Sequence, residues 1–284
     1  MNTNSNNRSN WTKLLTIAIL AVFPLCSLTA QSDDNEFGLW TTLEASKKIN
    51  KKLKLDIEAE MRTIEGVGDF DRFAIGAGLS YKFTKWLKAS AGYIFIYSHN
   101  LEETSIKWDE PIEIMNTGEL LYNYNVDHSY WTERHRFHLS LSGEYKVGRV
   151  EFSLRERLQY TRTNSATTDE TKYRWECVDL IEEKYEMTNS TEPELKKTKY
   201  NTTLRSRLTV KWDIPKCKVN PFASVELYSR LDDWKGCDKM RYRIGASYKI
   251  NKDNSISLFY LYQDANDDDE PKGHAIGLGY SIDL

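Results

Sequence analysis

The sequence predicts an all-β chain, a transmembrane up-and-down antiparallel β-barrel of about 10–12 strands preceded by a signal peptide. Three observations predict it. Apolar and polar residues alternate with period two over long segments. The connections between those segments are short on one side and long on the other. A short apolar run with a basic flank stands near the N-terminus.

That run comes first in the chain. Arg8 and Lys13 flank Leu14–Leu25, and small residues lead to an expected cleavage between Ala30 and Gln31. Residues 1–30 are therefore expected to be a signal peptide and 31–284 the outer-membrane barrel domain. This run of twelve residues (14–25) falls short of the roughly 20 that a spanning helix requires. A retained anchor helix and a lipid-modified Cys26 are the competing readings. Leu25, directly before Cys26, is bulkier than the small residue that lipid attachment needs.

Composition excludes several classes. The chain is 40% apolar and 29% charged, which rules out a helical membrane bundle. It does not rule out a barrel, because only every second residue of a membrane strand faces lipid. A net charge of −3 gives no bulk basic character, so no nucleic-acid partner is expected. No C-x-x-C occurs, so zinc and thioredoxin chemistry lack a motif, and neither metal nor cofactor is expected.

Strand-like segments lie near 37–49, 52–64, 71–83, 86–98, 135–147, 150–160, 199–213, 220–231, 239–250, 254–264 and 274–284. Segment 135–147 shows the pattern most plainly. Phe137, Leu139, Leu141, Tyr145 and Val147 share one face; Arg134, Arg136, His138, Ser140, Ser142, Glu144 and Lys146 share the other. In the next segment Val150, Phe152, Leu154, Leu158 and Tyr160 alternate with Glu151, Ser153, Arg155, Arg157 and Gln159, and Gly148-Arg149 makes the hairpin turn. Short turns fall near 50–51, 84–85, 148–149, 215–218 and 251–253, and long polar loops near 65–70, 99–132, 164–198, 232–238 and 265–273. Within 164–198, Lys172–Met187 is a candidate hairpin extension. Aromatics gather at both segment ends, as interfacial girdles do: Tyr81, Phe83, Tyr145, Trp212 and Tyr248 near short turns, Phe73, Tyr97, Tyr160 and Tyr262 near long loops. Eleven segments conflict with the even strand number of bacterial single-chain barrels, so either a strand is hidden or the first segment stands partly outside the wall.

Several strings carry a family resemblance. They are Phe37-Gly38-Leu39-Trp40-Thr41, Asp71-Arg72-Phe73, Ala91-Gly92-Tyr93-Ile94-Phe95-Ile96-Tyr97, Glu133-Arg134-His135-Arg136 and Leu204-Arg205-Ser206-Arg207-Leu208. In this order the chain resembles an uncharacterised outer-membrane barrel family of Bacteroidetes-type bacteria, the domain of unknown function 2490. The resemblance implies a barrel fold and a cell outer membrane location, and no activity.

Taken literally, the alternation turns Arg72, Arg134, Arg136, Arg155, Arg157, Arg205, Arg207, Arg230, Arg241 and Arg243 inward, with fewer acids: Asp56, Glu58, Glu60, Glu144, Glu151 and Glu226. Arg134, Arg136, Arg155, Arg157, Arg205, Arg207, Arg241 and Arg243 are the candidate lining of an anion path, since guanidinium forks match carboxylates and phosphates. The leading expectation is a narrow, porin-like passive channel for a small anionic solute. The alternative is a closed lumen laced by Arg–Glu pairs, with working extracellular loops. A third use gives arginines near the long loops to lipid phosphates. Outer-membrane lipids and the barrel-assembly machinery are the other expected partners.

An enzyme is not expected. Ser206, Ser229 and His135 have lipid-facing phase, which a lipid-modifying enzyme would need, but nothing brings them together in sequence. His135 and His138 face opposite sides of one strand and cannot share a metal. Acidic loop residues, among them Asp264–Glu270 and Glu102–Glu113, are read as a solvated surface. After cleavage Cys177, Cys217 and Cys237 remain; Cys177 and Cys237 are the candidate disulfide, with three free thiols as the other reading.

Overall fold

The computed structural model describes residues 36–64, 68–114, 117–179, 182, 184–232, 236–265 and 272–284. The expected signal peptide and most of the acidic run 264–270 lie outside them. The strands in chain order are β1 (Glu36–Lys48), β2 (Leu53–Ile64), β3 (Asp69–Lys82), β4 (Leu87–Asn100), β5 (Glu103–Ile106), β6 (Ile112–Ile114), β7 (Glu119–Leu121), β8 (Tyr124–Asp127), β9 (Tyr130–Val147), β10 (Val150–Thr163), β11 (Ala166–Asp179), β12 (Lys184–Lys196), β13 (Lys199–Trp212), β14 (Val219–Arg230), β15 (Gly236–Lys249), β16 (Asn254–Ala265) and β17 (Gly273–Asp283).

Eleven of them close a barrel in the order β1-β17-β16-β15-β14-β13-β10-β9-β4-β3-β2. Every neighbouring pair is antiparallel except β1 and β17, which run parallel from Glu36↔Gly273 to Ser46↔Asp283. Both ways of restoring an even count therefore fail. The first segment is fully in the wall, and an odd number of strands has to close on one parallel pair. β1 consequently starts at the long-loop end, while β17 finishes at the short-turn end.

Local chemistry sets the short turns. Asn50 Oδ1 accepts from the backbone N–H groups of Lys52 and Leu53 at 2.8 and 2.9 Å. Thr84 Oγ1 accepts from Trp86 and Leu87 at 3.2 and 3.0 Å, and Asn251 Oδ1 from Asp253 and Asn254 at 2.9 and 2.8 Å. Three turns thus reuse one device, a side-chain oxygen that stands in for a backbone carbonyl. Between Val147 and Val150, Gly148 takes the positive φ of 58° that a two-residue hairpin wants at its first central position. In Ile214-Pro215-Lys216-Cys217, Pro215 presets the first central residue and Lys216 adopts φ 60°, with Cys217 N–H donating to Ile214 O at 3.2 Å.

Above the long-loop end, the region expected as loops contains more structure. β11 and β12 form a hairpin that joins β8 and β5 in a four-stranded sheet, and β6 pairs with β7. The candidate extension Lys172–Met187 is the outer part of that hairpin. Tyr124 of β8 and Tyr173 of β11 stack at 4.5 Å where the hairpin meets β8. Asp127, Glu170 and Glu194 draw their carboxylates together there. Lys196 provides their counter-charge, 2.6 Å from both Asp127 and Glu194. Burial lowers the Lys196 pKa, but the two carboxylates outweigh it and hold the ammonium above its ordinary range.

The wall has two unlike faces, as the alternation predicts. Leu139, Leu154 and Ile244 point outward and are 62%, 50% and 64% exposed. Inward positions are filled, and the filling uses glycines. Phe259 lies across Gly277, where a Cβ would sit 1.9 Å from its ring, and also crowds Gly245. On the opposite wall, a Cβ on Gly92 would meet His138 at 2.6 Å. With Trp40, Leu261 and Ala275, Phe259 forms a small apolar core inside the barrel.

Candidate functional site

The candidate site is the lumen, and strand register builds it. Arg155 stands directly opposite Arg207, and Arg157 opposite Arg205. Like charges facing each other across a pair of strands are destabilising. The next strand supplies the remedy: Glu226 on β14 is in register with Arg207, and it is 1% exposed. Its Oε1 accepts from Arg155 at 2.7 Å and from Arg205 at 3.0 Å, while Tyr228 OH donates to its Oε2 at 3.1 Å. One carboxylate thus ties three strands together with charge-assisted bonds.

The network continues around the wall. Arg241 donates to Gln263 at 2.7 Å and to Tyr228 OH at 2.5 Å, and its guanidinium lies 4.8 Å from the Trp40 ring and 4.9 Å from Tyr228. Arg62 stacks on Trp40 at 3.7 Å. Arg205 stacks on Tyr228 at 4.5 Å and takes Gln159 as a hydrogen-bond acceptor at 2.7 Å. Arg157 donates to Ser140 at 2.9 Å, and Arg243 lies 5.3 Å from the Phe259 ring. Cation–π contacts of this kind strengthen when desolvated.

Toward the long-loop end the lumen opens into a cavity of about 70 Å³. Arg62, Arg134, Arg136, Arg205, Arg230, Lys239 and Arg241 line it, against a single acid, Asp238, among the described residues. Arg134 donates to Asn100 at 3.1 Å and Arg136 to Thr161 at 3.1 Å. Asp238 accepts from Arg230 at 3.2 Å.

Arg155, Arg157, Arg207 and Arg243 gather at mid-barrel, Arg134 and Arg136 line the vestibule above, and Arg205 and Arg241 reach from the mid-barrel network into the vestibule lining. Sequence reasoning missed Trp40, Tyr228, Gln263 and Lys239, while the alternation put Gln159 and Arg62 on polar faces without giving either a role. Trp40, Tyr228 and Gln263 were within reach of the same alternation, because each has inward phase.

The candidate disulfide is not formed: Cys177, Cys217 and Cys237 are free and exposed. Geometry explains it. Cys177 lies 11 residues along β11 from Ala166, roughly 35 Å up the hairpin, whereas Cys237 is the second residue of β15 at the barrel rim. Bridged Cα atoms lie within about 7 Å.

On the outer wall the two candidate catalytic types stay apart. Ser206 donates to Glu156 at 2.5 Å. His135 Nδ1 lies 2.7 Å from Tyr93 OH. Glu156 pairs with Leu141, six residues along β9 from His135 and roughly 20 Å away. His138 faces the lumen over Gly92, on the opposite side of the strand from His135.

Fold and lining together define a class: a closed β-barrel, apolar outside and cationic within. Residues 37–273 match the family model described as Protein of unknown function (DUF2490), and the chain belongs to that family. No curated protein matches the sequence. Among solved structures it is similar to the CymD monoaromatic hydrocarbon channel, at 11% identity over 84% of this chain and 85% of that one, TM-score 0.35. It is also similar to the translocator domain of the autotransporter NalP from Neisseria meningitidis, at 11% identity over 92% of each chain, TM-score 0.28. The beta domain of the Bordetella autotransporter BrkA is 12% identical over 87% of this chain and 96% of that one, TM-score 0.32. At such identities and scores the likeness assigns no activity.

Proposed function

We propose that this chain is an outer-membrane β-barrel forming a narrow, anion-preferring passage. Anions enter from the basic vestibule at the long-loop end, and the arginine network around Glu226 throttles them at mid-barrel. The vestibule carries this reading, since seven basic side chains face one acid among its described lining residues. Guanidinium groups bind carboxylate and phosphate oxygens in pairs, so small anionic solutes fit better than cations. The membrane location is supported by a wall whose outward side chains are apolar and exposed, with tyrosines toward its ends. Outer-membrane lipids surround the barrel in this reading, the barrel-assembly machinery inserts it, and no catalysis or nucleic-acid partner is involved.

A second reading, a closed lumen with working loops, is favoured by one observation. Arg241 is held between Trp40 and Tyr228, and Arg62 caps Trp40, so aromatic and guanidinium planes stack across the inner wall. Single-channel recording on the purified barrel in planar bilayers separates the two. A steady, small conductance whose reversal potential in a salt gradient favours the anion supports the passage. Silence from a folded, inserted barrel supports the closed lumen.

A further inference from the structure

Arg162 breaks the pattern of the wall. Across β10 it is in register with His135 and Tyr200, and all three face outward. Among the described strand residues it is the only arginine or lysine with outward phase in the long-loop half of the barrel. It is exposed, and its guanidinium makes no hydrogen bond or ion pair among the described residues. It opens onto a cavity of about 640 Å³ whose lining includes the hydroxyls of Ser165, Thr167 and Thr198. Asn164 and Glu133 belong to the same lining and are bonded to each other at 3.1 Å.

A second feature lies below it on the same strands. The outward positions Ala89 and Ala91 are small, and with Leu139, Leu141, Leu158 and Leu204 they line a mostly apolar trough of about 480 Å³ in the outer wall, bordered also by Glu156, whose carboxylate accepts from Ser206. From the level of His135 to that of Leu141 is six residues, roughly 20 Å. An extended acyl chain covers that distance.

We infer that the seam of β4, β9, β10 and β13 binds one phosphate-bearing lipid of the outer leaflet, with its phosphate on Arg162 and an acyl chain in the Ala89/Ala91 trough. The inference rests on the membrane location proposed above. A guanidinium at the depth of the aromatic girdle meets lipid phosphates, and the hydroxyls beside it donate to the remaining phosphate oxygens. The Glu133 carboxylate in the same lining, held by Asn164, disfavours a second anionic group, so the site takes one phosphate. The long-loop end faces outward in barrels of this kind, which selects the outer leaflet.

Native mass spectrometry of the full-length mature barrel tests this, with lipid A as probe and phosphatidylcholine as the zwitterionic control. The wild type should retain one lipid A in preference to phosphatidylcholine. Arg162→Gln should weaken retention about tenfold, as expected for one lost charge-assisted contact. Ala91→Phe, which fills the trough, should weaken it too, and Arg149→Gln at the short-turn end should not. Free glucosamine phosphate should fail to compete. Heat-modifiable gel mobility verifies that each variant is folded, and Arg162→Gln, at an exposed position, remains decisive if Ala91→Phe misfolds. Equal retention by Arg162→Gln and wild type, equal binding of phosphatidylcholine, or displacement by free glucosamine phosphate would each overturn the lipid site. Recovery of the protein outside the outer membrane would instead remove the location on which it rests, while leaving the retention measurement readable.

Discussion

At the scale of single residues, the two faces of one strand carry opposite tolerances. Leu139 points outward and is exposed to lipid in the proposed setting, while its neighbour Ser140 is buried and accepts a hydrogen bond from Arg157. Leu139→Arg should therefore impair insertion, by about 2–4 kcal/mol near the midplane. Ser140→Arg places one more guanidinium in a lumen already built of them and should insert better. The check is the fraction of heat-modifiable, membrane-extracted protein for each variant; equal yields would mean that the faces are assigned wrongly. The faces were legible in the sequence because period two records which side each residue meets. The partners within the lumen were not. Glu226 bonds Arg155 and Arg205 only after register aligns β10, β13 and β14, and alternation within one strand carries no information about its neighbour.

Elements show the same division. Three short turns were legible as breaks, and a common device explains them: a side-chain oxygen from Asn50, Thr84 or Asn251. The packing of β15, β16 and β17 was not legible, because glycines in a strand give no hint of what lies over them. Gly277 leaves space that the Phe259 ring occupies, and a Cβ there would approach it to 1.9 Å. Gly277→Val should destabilise the barrel by about 1–3 kcal/mol through overpacking. Phe259→Ala in the same chain should recover part of that loss. Urea unfolding in micelles, followed by tryptophan fluorescence, measures both. Strictly additive losses would show that the two positions do not share space. The region above the barrel was legible only in part. The hairpin of β11 and β12 was anticipated over Lys172–Met187, but its docking onto β8 depends on long-range pairs such as Glu170↔Asp127. The candidate bridge between Cys177 and Cys237 failed for the related reason that sequence does not give height along a hairpin.

For the whole molecule, the decisive feature is parity. Eleven segments were countable in the sequence and eleven strands close the wall. What sequence could not supply was the closure, since a parallel pair between the first and last strands leaves no local mark. An odd wall puts the start of β1 and the finish of β17 at opposite ends, with Glu36 beside Gly273 at the long-loop rim and Asp283 beside the short turns. An even wall would put both at one end. A membrane-crossing barrel with eleven strands thus makes a sharp claim about two positions. With Cys177, Cys217 and Cys237 replaced by serine, single cysteines at Glu36→Cys and Asp283→Cys can be probed with a membrane-impermeant maleimide on intact cells. The account predicts labelling at position 36 in intact cells, and at position 283 only after the outer membrane is permeabilised. Equal accessibility of the two positions in intact cells, or protection of both until permeabilisation, would contradict it.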